Sequence, residues 1–342
     1  MRFLTFTLPI DHSRLHPQPA RAGILLENTV IDLRAASDWA EASLGLPSGE
    51  NAASMFELIN AGQAAWQRAR NLINALEGEN PLELKDPDGL PVGYPLDKVG
   101  LEPPLPRPMS LRDFYAFEQH VVTANANRNK TVPEEWYRFP VFYFSNPNAI
   151  YGPEEVVPCP AYTQELDYEL EVACVIGKPG INIPPNLAEE FIFGYLIFND
   201  WSARDIQRDE MRVGLGPAKG KDFASSLGPW IVTPDELAAY KTDRPGVYDC
   251  QMTAKVNGEP RSHGNWKDLY YSFGEILARA SQEVYLLPGD IIGSGTVGTG
   301  CLLEITKGQG PWLQSGDFVA LEIEGLGILR NQVGESTGLQ VH

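Results

Sequence analysis

Acidic residues alternate with apolar residues in segment 165–172, which reads ELDYELEV. In a β-strand the four carboxylates would share one face, with neighbours about 7 Å apart. At an effective dielectric of about 20, two charges at that spacing repel by about 2–3 kcal/mol. A hard divalent cation held by Glu169 and Glu171 would offset this cost, since Mg²⁺ and Ca²⁺ take oxygen ligands. The alternative is an exposed strand face on which solvent screens the charges.

A further carboxylate, Asp200, closes an apolar run that predicts a buried strand over residues 191–199. A carboxylate in this position can simply cap the following turn or helix. It is followed, however, by Arg204, Gln207 and Lys221, which supply hydrogen-bond donors for an anionic ligand in an otherwise acidic chain. Together these residues indicate a site.

The third cluster, residues 110–120, reads SLRDFYAFEQH. Ser110 and Asp113 have capping-box spacing, which predicts a helix over residues 111–127. On that helix Asp113 and His120 share one face about 10 Å apart, too far to bond each other but able to flank one ligand. The alternatives are helix capping by Asp113 and an ordinary hydrogen-bonded helix histidine.

Two glycine-rich segments resemble nucleotide-binding motifs but lack decisive features. Residues 216–221 give G-x-x-x-G-K instead of G-x-x-x-x-G-K, and Asp222 stands where a Ser or Thr would bind the metal. Residues 293–298 satisfy G-x-G-x-x-G, yet segment 299–305 predicts a strand and not the helix whose N-terminus faces a pyrophosphate. We therefore expect neither ATP nor a dinucleotide to bind.

Composition and charge restrict the classes of partner. The 342 residues are 43% hydrophobic and 21% charged, which predicts a folded globular protein. With 45 acidic against 27 basic residues the formal charge is −18, which disfavours nucleic acid and anionic lipid as partners. No apolar run approaches the roughly 20 residues that span a bilayer, and the first residues do not resemble a signal peptide. We therefore predict a cytoplasmic protein without a membrane partner.

The elements that position these residues form two parts. Four prolines in segment 102–108 exclude helix and mark a boundary between a small domain over residues 1–104 and a larger, mostly β domain over residues 105–342. Helices are predicted over residues 54–76, 111–127 and 269–281. Strands are predicted over residues 2–8, 22–26, 29–33, 166–176, 191–199, 247–256, 291–294, 302–305 and 318–323. The four cysteines are widely spaced, which predicts that they are reduced and lie in or near the core.

Six segments in a fixed order are jointly characteristic. They read DFYAFEQH (113–120), LDYELEVA (166–173), NDWSARDIQ (199–207), GKDF (220–223), SGT (294–296) and LLE (302–304). From about residue 109 to residue 332 the chain therefore resembles the fumarylacetoacetate hydrolase family. This resemblance implies a mainly β, α+β fold, with a small N-terminal β domain followed by a mixed β-sandwich roll in a catalytic C-terminal domain. It also implies a homodimer.

The resemblance further implies a divalent metal ion and its ligands. The ion would be Mg²⁺, with Ca²⁺ and Mn²⁺ as alternatives. The implied ligands are four acidic residues, Asp113, Glu169, Glu171 and Asp200.

The resemblance also implies the groups that react with the substrate. His120 is the implied general base, and Glu304, in the predicted strand 302–305, is the carboxylate that orients it. The implied anion-stabilising groups are Arg204, Gln207 and Lys221. The implied substrate contacts are Tyr115, Tyr143, Thr296 and Arg128.

The implied reaction is hydrolysis of a carbon–carbon bond in fumarylacetoacetate or a related acylpyruvate, a 1,3-diketo acid, in the breakdown of aromatic compounds. His120 would activate water, and the metal would delocalise the charge of the departing enolate. One alternative is a decarboxylase or keto–enol isomerase of a short diketo acid such as oxaloacetate; another is a catalytically silent metal- or ligand-binding protein. Phe142, Phe144 and Met211 depart from the fumarylacetoacetase pattern, so we expect these positions to alter the substrate.

Overall fold

The computed structural model describes residues 1–8, 19–47, 54–127 and 129–336 of the protein. Within these ranges the α-helices are α1 Leu33–Leu44, α2 Met55–Asn60, α3 Gly62–Ala75, α4 Glu118–Ala126, α5 Arg204–Val213, α6 Phe273–Ala280 and α7 Leu302–Ile305. The strands are β1 Arg2–Thr7, β2 Arg21–Leu26, β3 Thr29–Asp32, β4 Gly93–Pro95, β5 Gly100–Glu102, β6 Leu111–Phe114, β7 Phe142–Ser145, β8 Ile150–Tyr151, β9 Val156–Pro158, β10 Leu166–Asp167, β11 Leu170–Ile176, β12 Ile192–Asp200, β13 Ser202–Ala203, β14 Ser225–Val232, β15 Gln251–Val256, β16 Glu259–Asn265, β17 Ile291–Gly293, β18 Phe318–Ile323 and β19 Gly327–Gly334.

A large sheet carries most of these strands. Its main path runs β4-β3-β2-β1-β14-β12-β11-β17-β6-β7, and β5 and β8 pair with β1 and β14 beside this path. All nine residues of β12 are buried, because the strand lies between β11 and β14 and both faces of the sheet are covered. The N-terminal strands continue the same sheet, since Arg2 of β1 pairs with Val232 of β14. The division at residues 104 and 105 stays a prediction.

A second sheet covers one face of the first. It has the order β16-β15-β18-β19-β9. Leu170 and Val172 of β11 pack in one core with residues of this second sheet such as Met252. Ala173 and Val175 point to the opposite face, into a core that α2 and α3 cover. The predicted sheet-dominated α+β fold is confirmed.

The N-terminal part contains one helix that the sequence analysis missed. Asp32 begins α1 by accepting hydrogen bonds from the backbone of Arg34 and Ala35, and Gly45 ends it in a left-handed conformation (φ 67°). The predicted helix over residues 54–76 is present as α2 and α3, and the strands predicted from residues 2, 22 and 29 are confirmed as β1, β2 and β3. In the described part of the chain no helix is long and apolar enough to cross a membrane.

The helix predicted over residues 111–127 is wrong in its first half. Leu111–Phe114 form β6, which pairs in parallel with β17 and antiparallel with β7, and the helix α4 begins only at Glu118. The Ser110 hydroxyl donates to Asp290 at 2.7 Å and does not cap a helix. Strand pairing on both sides therefore overrides the local capping signal.

The strand predicted over residues 302–305 is also wrong. These residues form the one-turn helix α7. Its first backbone N–H groups, of Leu302 and Leu303, donate to the buried carboxylate of Asp167 at 2.8 and 3.0 Å. A distant side chain thus satisfies the helix start, which the local pattern of apolar residues does not reveal.

Candidate active site

Four acidic side chains meet at one end of the large sheet. Asp113 lies on β6, and Asp200 ends β12. Glu169 directly precedes β11, and Glu171 lies on it. Because β12, β11, β17 and β6 are neighbours in that order, residues far apart in the sequence arrive at the same edge. One oxygen of each carboxylate lies within 4.8 Å of one from each of the others, so we call these four residues the carboxylate cluster.

Segment 165–172 is not one continuous strand, so the prediction of four carboxylates on one strand face is wrong. β10 pairs with β13, whereas β11 pairs with β12. The change of pairing partner falls between Asp167 and Glu169. Glu169 and Glu171 therefore enter the carboxylate cluster, while Glu165 and Asp167 lie outside it.

Two buried cations neutralise part of the carboxylate cluster. Lys221 Nζ lies 2.6 Å from Asp200 Oδ2 and also donates to Glu169. Arg204 Nη1 lies 2.8 Å from Glu169 Oε1. Both cationic residues are only 3% exposed, so the attraction of the carboxylates must offset their lost hydration.

The surroundings shift the pKa values of these carboxyl groups in opposite directions. Burial, and then the charge of Asp200, raises the pKa of Asp113 to about 8. Burial and the charge of Asp113 raise the pKa of Glu171 well above its ordinary value. For Glu169 the opposing charge of Lys221 and of the neighbouring cations outweighs burial, so its pKa is lowered. Asp113 in the carboxylate cluster therefore holds a proton at neutral pH that a bound cation would displace.

The donor set fits a hard divalent cation. All four side chains offer carboxylate oxygens, the ligand type that Mg²⁺, Ca²⁺ and Mn²⁺ prefer. Oδ1 of Asp200 is buried and has no hydrogen-bond partner among the described residues. The backbone N–H of Gly295 is shared by Asp113 Oδ1 and Glu171 Oε2, at 3.1 Å from each. These carboxylates are thus oriented by the protein, and an unpaired oxygen is available to an ion.

A histidine–glutamate pair lies beside the carboxylate cluster. His120 on α4 and Glu304 on α7 are both buried, and His120 Nδ1 lies 2.9 Å from Glu304 Oε2. The ring of Tyr115 meets the imidazole edge-on, with ring centres 5.2 Å apart. With Nδ1 facing Glu304, Nε2 is the nitrogen that can serve the adjacent cavity. The sequence analysis named Glu304 as the partner of His120 but placed it in a strand, whereas it lies on the helix α7.

The first turn of α5 supplies an anchored donor group. Arg204 donates from Nε to Asp167 Oδ2 at 2.8 Å and from Nη1 to Gln207 Oε1 at 3.1 Å. Because the Gln207 carbonyl oxygen is occupied in this way, its amide nitrogen remains to donate to a ligand.

A cavity of about 260 Å³ opens onto these groups, and we call it the inner cavity. Most of the predicted site residues line it directly: Asp113, Tyr115, His120, Tyr143, Glu169, Arg204, Gln207, Lys221 and Thr296. The other three described ones, Glu171, Asp200 and Glu304, contact lining residues: Thr296 donates to Glu171 at 3.3 Å, and Tyr143 donates to Asp200. The predicted substrate contact Arg128 lies outside the described residues.

Two of the three positions expected to alter the substrate line the inner cavity. These are Phe142 and Met211. Phe144 lies elsewhere: its side chain is exposed and faces Arg112, whose guanidinium carbon is 5.0 Å from the ring centre. Phe144 therefore does not line the inner cavity, and its effect on the substrate stays a prediction.

Three residues of the site were not predicted. Asp167 fixes both Arg204 and the start of α7. Gly295 has φ 81°, and a Cβ there would lie 2.5 Å from the carbonyl oxygen of Phe114, so only glycine fits. Cys301 is buried, with Sγ 3.7 Å from Glu304 Oε2. Its position just before Glu304 was visible in the sequence, but nothing there indicates that contact. All four cysteines are unpaired, as predicted.

Comparisons with known proteins give the same picture at the level of the family. Residues 110–334 match the model of the fumarylacetoacetate hydrolase C-terminal domain. The chain is 28% identical to a fumarylacetoacetase of Bos taurus, over 86% of this chain and 82% of that one. It is 31% identical to an oxaloacetate tautomerase of Bacillus subtilis, over 70% and 75%.

A solved structure extends the comparison to the fold. It is a fumarylacetoacetate hydrolase from Exiguobacterium antarcticum, with a TM-score of 0.68, 26% identity, and coverage of 98% of this chain and 99% of that one. The relatives include a hydrolase and a tautomerase, so they agree on the superfamily and differ in reaction. The chain belongs to the fumarylacetoacetate hydrolase family and is an enzyme of that superfamily.

Proposed function

We propose that this protein is a metal-dependent hydrolase that cleaves a carbon–carbon bond in fumarylacetoacetate or a related acylpyruvate. The observation that carries the proposal is the position of the His120–Glu304 pair on the same cavity as the carboxylate cluster. The His120–Glu304 pair suits activation of water, and the carboxylate cluster suits binding of a divalent ion. Hydrolysis of a 1,3-diketo acid needs both.

The metal would be held by the carboxylate cluster, Asp113, Glu169, Glu171 and Asp200. Mg²⁺ is the proposed ion, with Ca²⁺ and Mn²⁺ as alternatives that take the same oxygen ligands. When bound, it would supply Lewis-acid stabilisation of the negative charge that develops on the diketone oxygens.

His120 is the proposed general base. Glu304 faces Nδ1 and would hold a proton there, so Nε2 would accept a proton from water. The resulting hydroxide adds to a carbonyl carbon, the adjacent C–C bond breaks, and its electron pair passes to the departing enolate. His120 then returns the proton to the enolate carbon, which yields a carboxylic acid and a ketone.

The remaining cavity residues would bind and stabilise charge. Gln207 would donate from its amide nitrogen, and Arg204 would place positive charge beside the developing oxyanion. Lys221 also lines the inner cavity, and its bonds to Glu169 and Asp200 keep its charge next to the reacting groups. The proposed substrate contacts are Tyr115, Tyr143 and Thr296.

A keto–enol tautomerase of a short diketo acid is the second candidate. The similarity to an oxaloacetate tautomerase favours it, and His120 could move a proton between carbon and oxygen without water. Decarboxylation requires no activated water, and a silent binding protein requires neither His120 nor Glu304, so the buried pair favours hydrolysis over both.

We also propose a cytoplasmic homodimer that acts in the breakdown of aromatic compounds. The family resemblance supports this part of the proposal. Size-exclusion chromatography with light scattering tests the dimer, because a measured mass of one 37.7 kDa chain would contradict it.

The consumption of fumarylacetoacetate, followed by its ultraviolet absorbance, tests the reaction. The purified protein is incubated with this acid, then with a chelator, and then with Mg²⁺ restored. Loss that stops with chelator, resumes with Mg²⁺ and yields fumarate and acetoacetate supports hydrolysis. A protein that instead changes only the enol absorbance of oxaloacetate is a tautomerase.

A further inference from the structure

A second group of potential metal ligands lies beside the inner cavity. It consists of His120, Cys301 and Glu304, and we call it the thiol site. One ligand atom of each residue lies within 4.8 Å of one from each of the others. All three side chains are buried, and of the three His120 lines the inner cavity. The proposed reaction uses His120 and Glu304 but gives the thiol of Cys301 no role.

Two helices bring the thiol site together. Cys301 directly precedes the helix α7, and Glu304 lies three residues later, so a single turn places the thiol and the carboxylate on the same side. Sγ of Cys301 is 3.7 Å from Oε2 of Glu304. Two intervening residues is also a common spacing of ligands in zinc sites. The helix α4 supplies His120, whose Nδ1 is 2.9 Å from the same oxygen.

Two buried polar atoms of the thiol site are unused. Nδ1 of His120 makes no aligned hydrogen bond with any described residue, although Glu304 Oε2 is close to it. Oε1 of Glu304 also has no hydrogen-bond partner in the described ranges. Because buried polar atoms are rarely left unpaired, these two atoms point to a ligand.

The distances and the ligand types fit zinc. A tetrahedral Zn²⁺ ion, with bonds of about 2.0–2.3 Å to nitrogen, oxygen and sulfur, sets its ligands about 3.3–3.6 Å apart. The observed separations of 2.9 and 3.7 Å therefore need shifts of only about half an ångström. Thiolate and imidazole are ligands that suit Zn²⁺, whereas Mg²⁺ prefers oxygen. The charges of one thiolate and one carboxylate would also neutralise the ion in this buried position.

We propose that Zn²⁺ binds at the thiol site, through Cys301 Sγ, His120 Nδ1 and a Glu304 oxygen, and that bound zinc stops the proposed hydrolysis. Binding releases the thiol proton to solvent. A neutral imidazole carries one proton, so with zinc on Nδ1 that proton lies on Nε2. Nε2 then has no free electron pair with which to accept a proton from water. The inhibition rests on the proposed function, whereas the binding of zinc does not.

Cobalt serves as the spectroscopic probe for binding. A Co²⁺–thiolate bond absorbs in the near ultraviolet, whereas Co²⁺ held only by carboxylates lacks this band. The full chain is kept in excess Mg²⁺, which competes for the carboxylate cluster, and is titrated with Co²⁺. We expect the thiolate band to grow to saturation and to disappear when Zn²⁺ displaces the cobalt.

Variants identify the sulfur. Cys301→Ser should lose the thiolate band, and Cys301→Ala, which removes the sulfur without adding a hydroxyl, should lose it as well. The matched control is Cys159→Ser, which removes a half-buried cysteine outside the thiol site and should keep the band. The Zn²⁺ concentration that halves the cleavage rate should be at least about tenfold higher for Cys301→Ser than for the wild type.

The outcomes separate zinc binding, inhibition and hydrolysis. A wild type without the thiolate band, or a band that persists in a folded Cys301 variant, overturns the zinc site. Equal inhibition of the wild type and Cys301→Ser by Zn²⁺ overturns the proposed inhibition. If the band is found but no diketo acid is cleaved, the zinc site stands and hydrolysis fails. If a diketo acid is cleaved but the band is absent, hydrolysis stands and the zinc site fails.

Discussion

His120 Nδ1 lies 2.9 Å from Glu304 Oε2, although the two residues come from separate helices, α4 and α7. Both side chains are at most 5% exposed, so solvent does not compete for this contact. Nδ1 thus faces Glu304, and Nε2 is left for the cavity. The proposed proton transfer by His120 depends on that orientation.

Replacement of His120 should separate catalysis from metal binding. His120→Asn should reduce kcat at least about 100-fold, the usual contribution of a general base, because the asparagine cannot accept a proton from water. The same variant should still show a rise in melting temperature with Mg²⁺. Steady-state kinetics and thermal melts check the two halves, and an unchanged kcat removes His120 from the mechanism.

Replacement of the glutamates in the carboxylate cluster should abolish metal binding. At an ion concentration about 100-fold above Kd, binding stabilises the folded protein by about 2.7 kcal/mol, which raises the melting temperature. Glu169→Gln/Glu171→Gln should lose this rise. Glu259→Gln/Glu322→Gln, two exposed glutamates outside the site, should keep it. A rise that persists in the first double variant would place the ion elsewhere.

Metal binding should release protons and strengthen with pH. Burial raises the pKa of Asp113 to about 8, so this carboxyl is protonated near pH 6 in the metal-free protein, and burial also raises the pKa of Glu171. Because the metal binds the deprotonated form, its affinity should rise from pH 6 to about 8 and then level off. Metal-free stability should fall over the same range, since the unfolded carboxyls are already ionised while the folded ones resist ionisation. Calorimetry in two buffers of different ionisation enthalpy counts the protons, and a pH-independent Kd contradicts the assignment.

Asp167 should matter more for stability than an exposed acid in an ion pair. Asp167→Asn weakens the buried bond to Arg204 and the anchor of α7, so we expect a loss of about 3 kcal/mol in the free energy of unfolding. Glu154→Gln removes the exposed pair with Arg330 and should cost at most about 1 kcal/mol. Urea unfolding measures both, and equal losses would show that Asp167 has no special structural role.

The predicted site residues lie together in the fold, whereas two of the elements predicted to carry them are wrong. Asp200 was placed correctly at the end of a buried strand, because the nearly unbroken apolar run over the eight residues 191–198 is a strong strand signal. Asp113 was assigned to a helix, because a local capping pattern cannot report the pairing of β6 with β17. Long-range strand order, which joins the carboxylates, is set by the whole sheet and not by any one segment.

Side-chain contacts between distant segments were the other missing information. Asp167 was grouped with Glu169 because the strand alternation predicts one shared face. In the fold the strand breaks between them, and Asp167 contacts α7 and Arg204 instead. Glu304 was placed in a strand for a related reason, since the group that begins its helix lies far away in the sequence.

The most direct test of the central claim is product analysis in H₂¹⁸O with a panel of acylpyruvates that includes fumarylacetoacetate. Hydrolysis predicts two products from one substrate, with one ¹⁸O atom from the solvent in the newly formed carboxylate, and no cleavage after chelation of the metal. The contradictory result is a metal-loaded protein that leaves every acid uncleaved, or that converts it only to an isomer of the same mass.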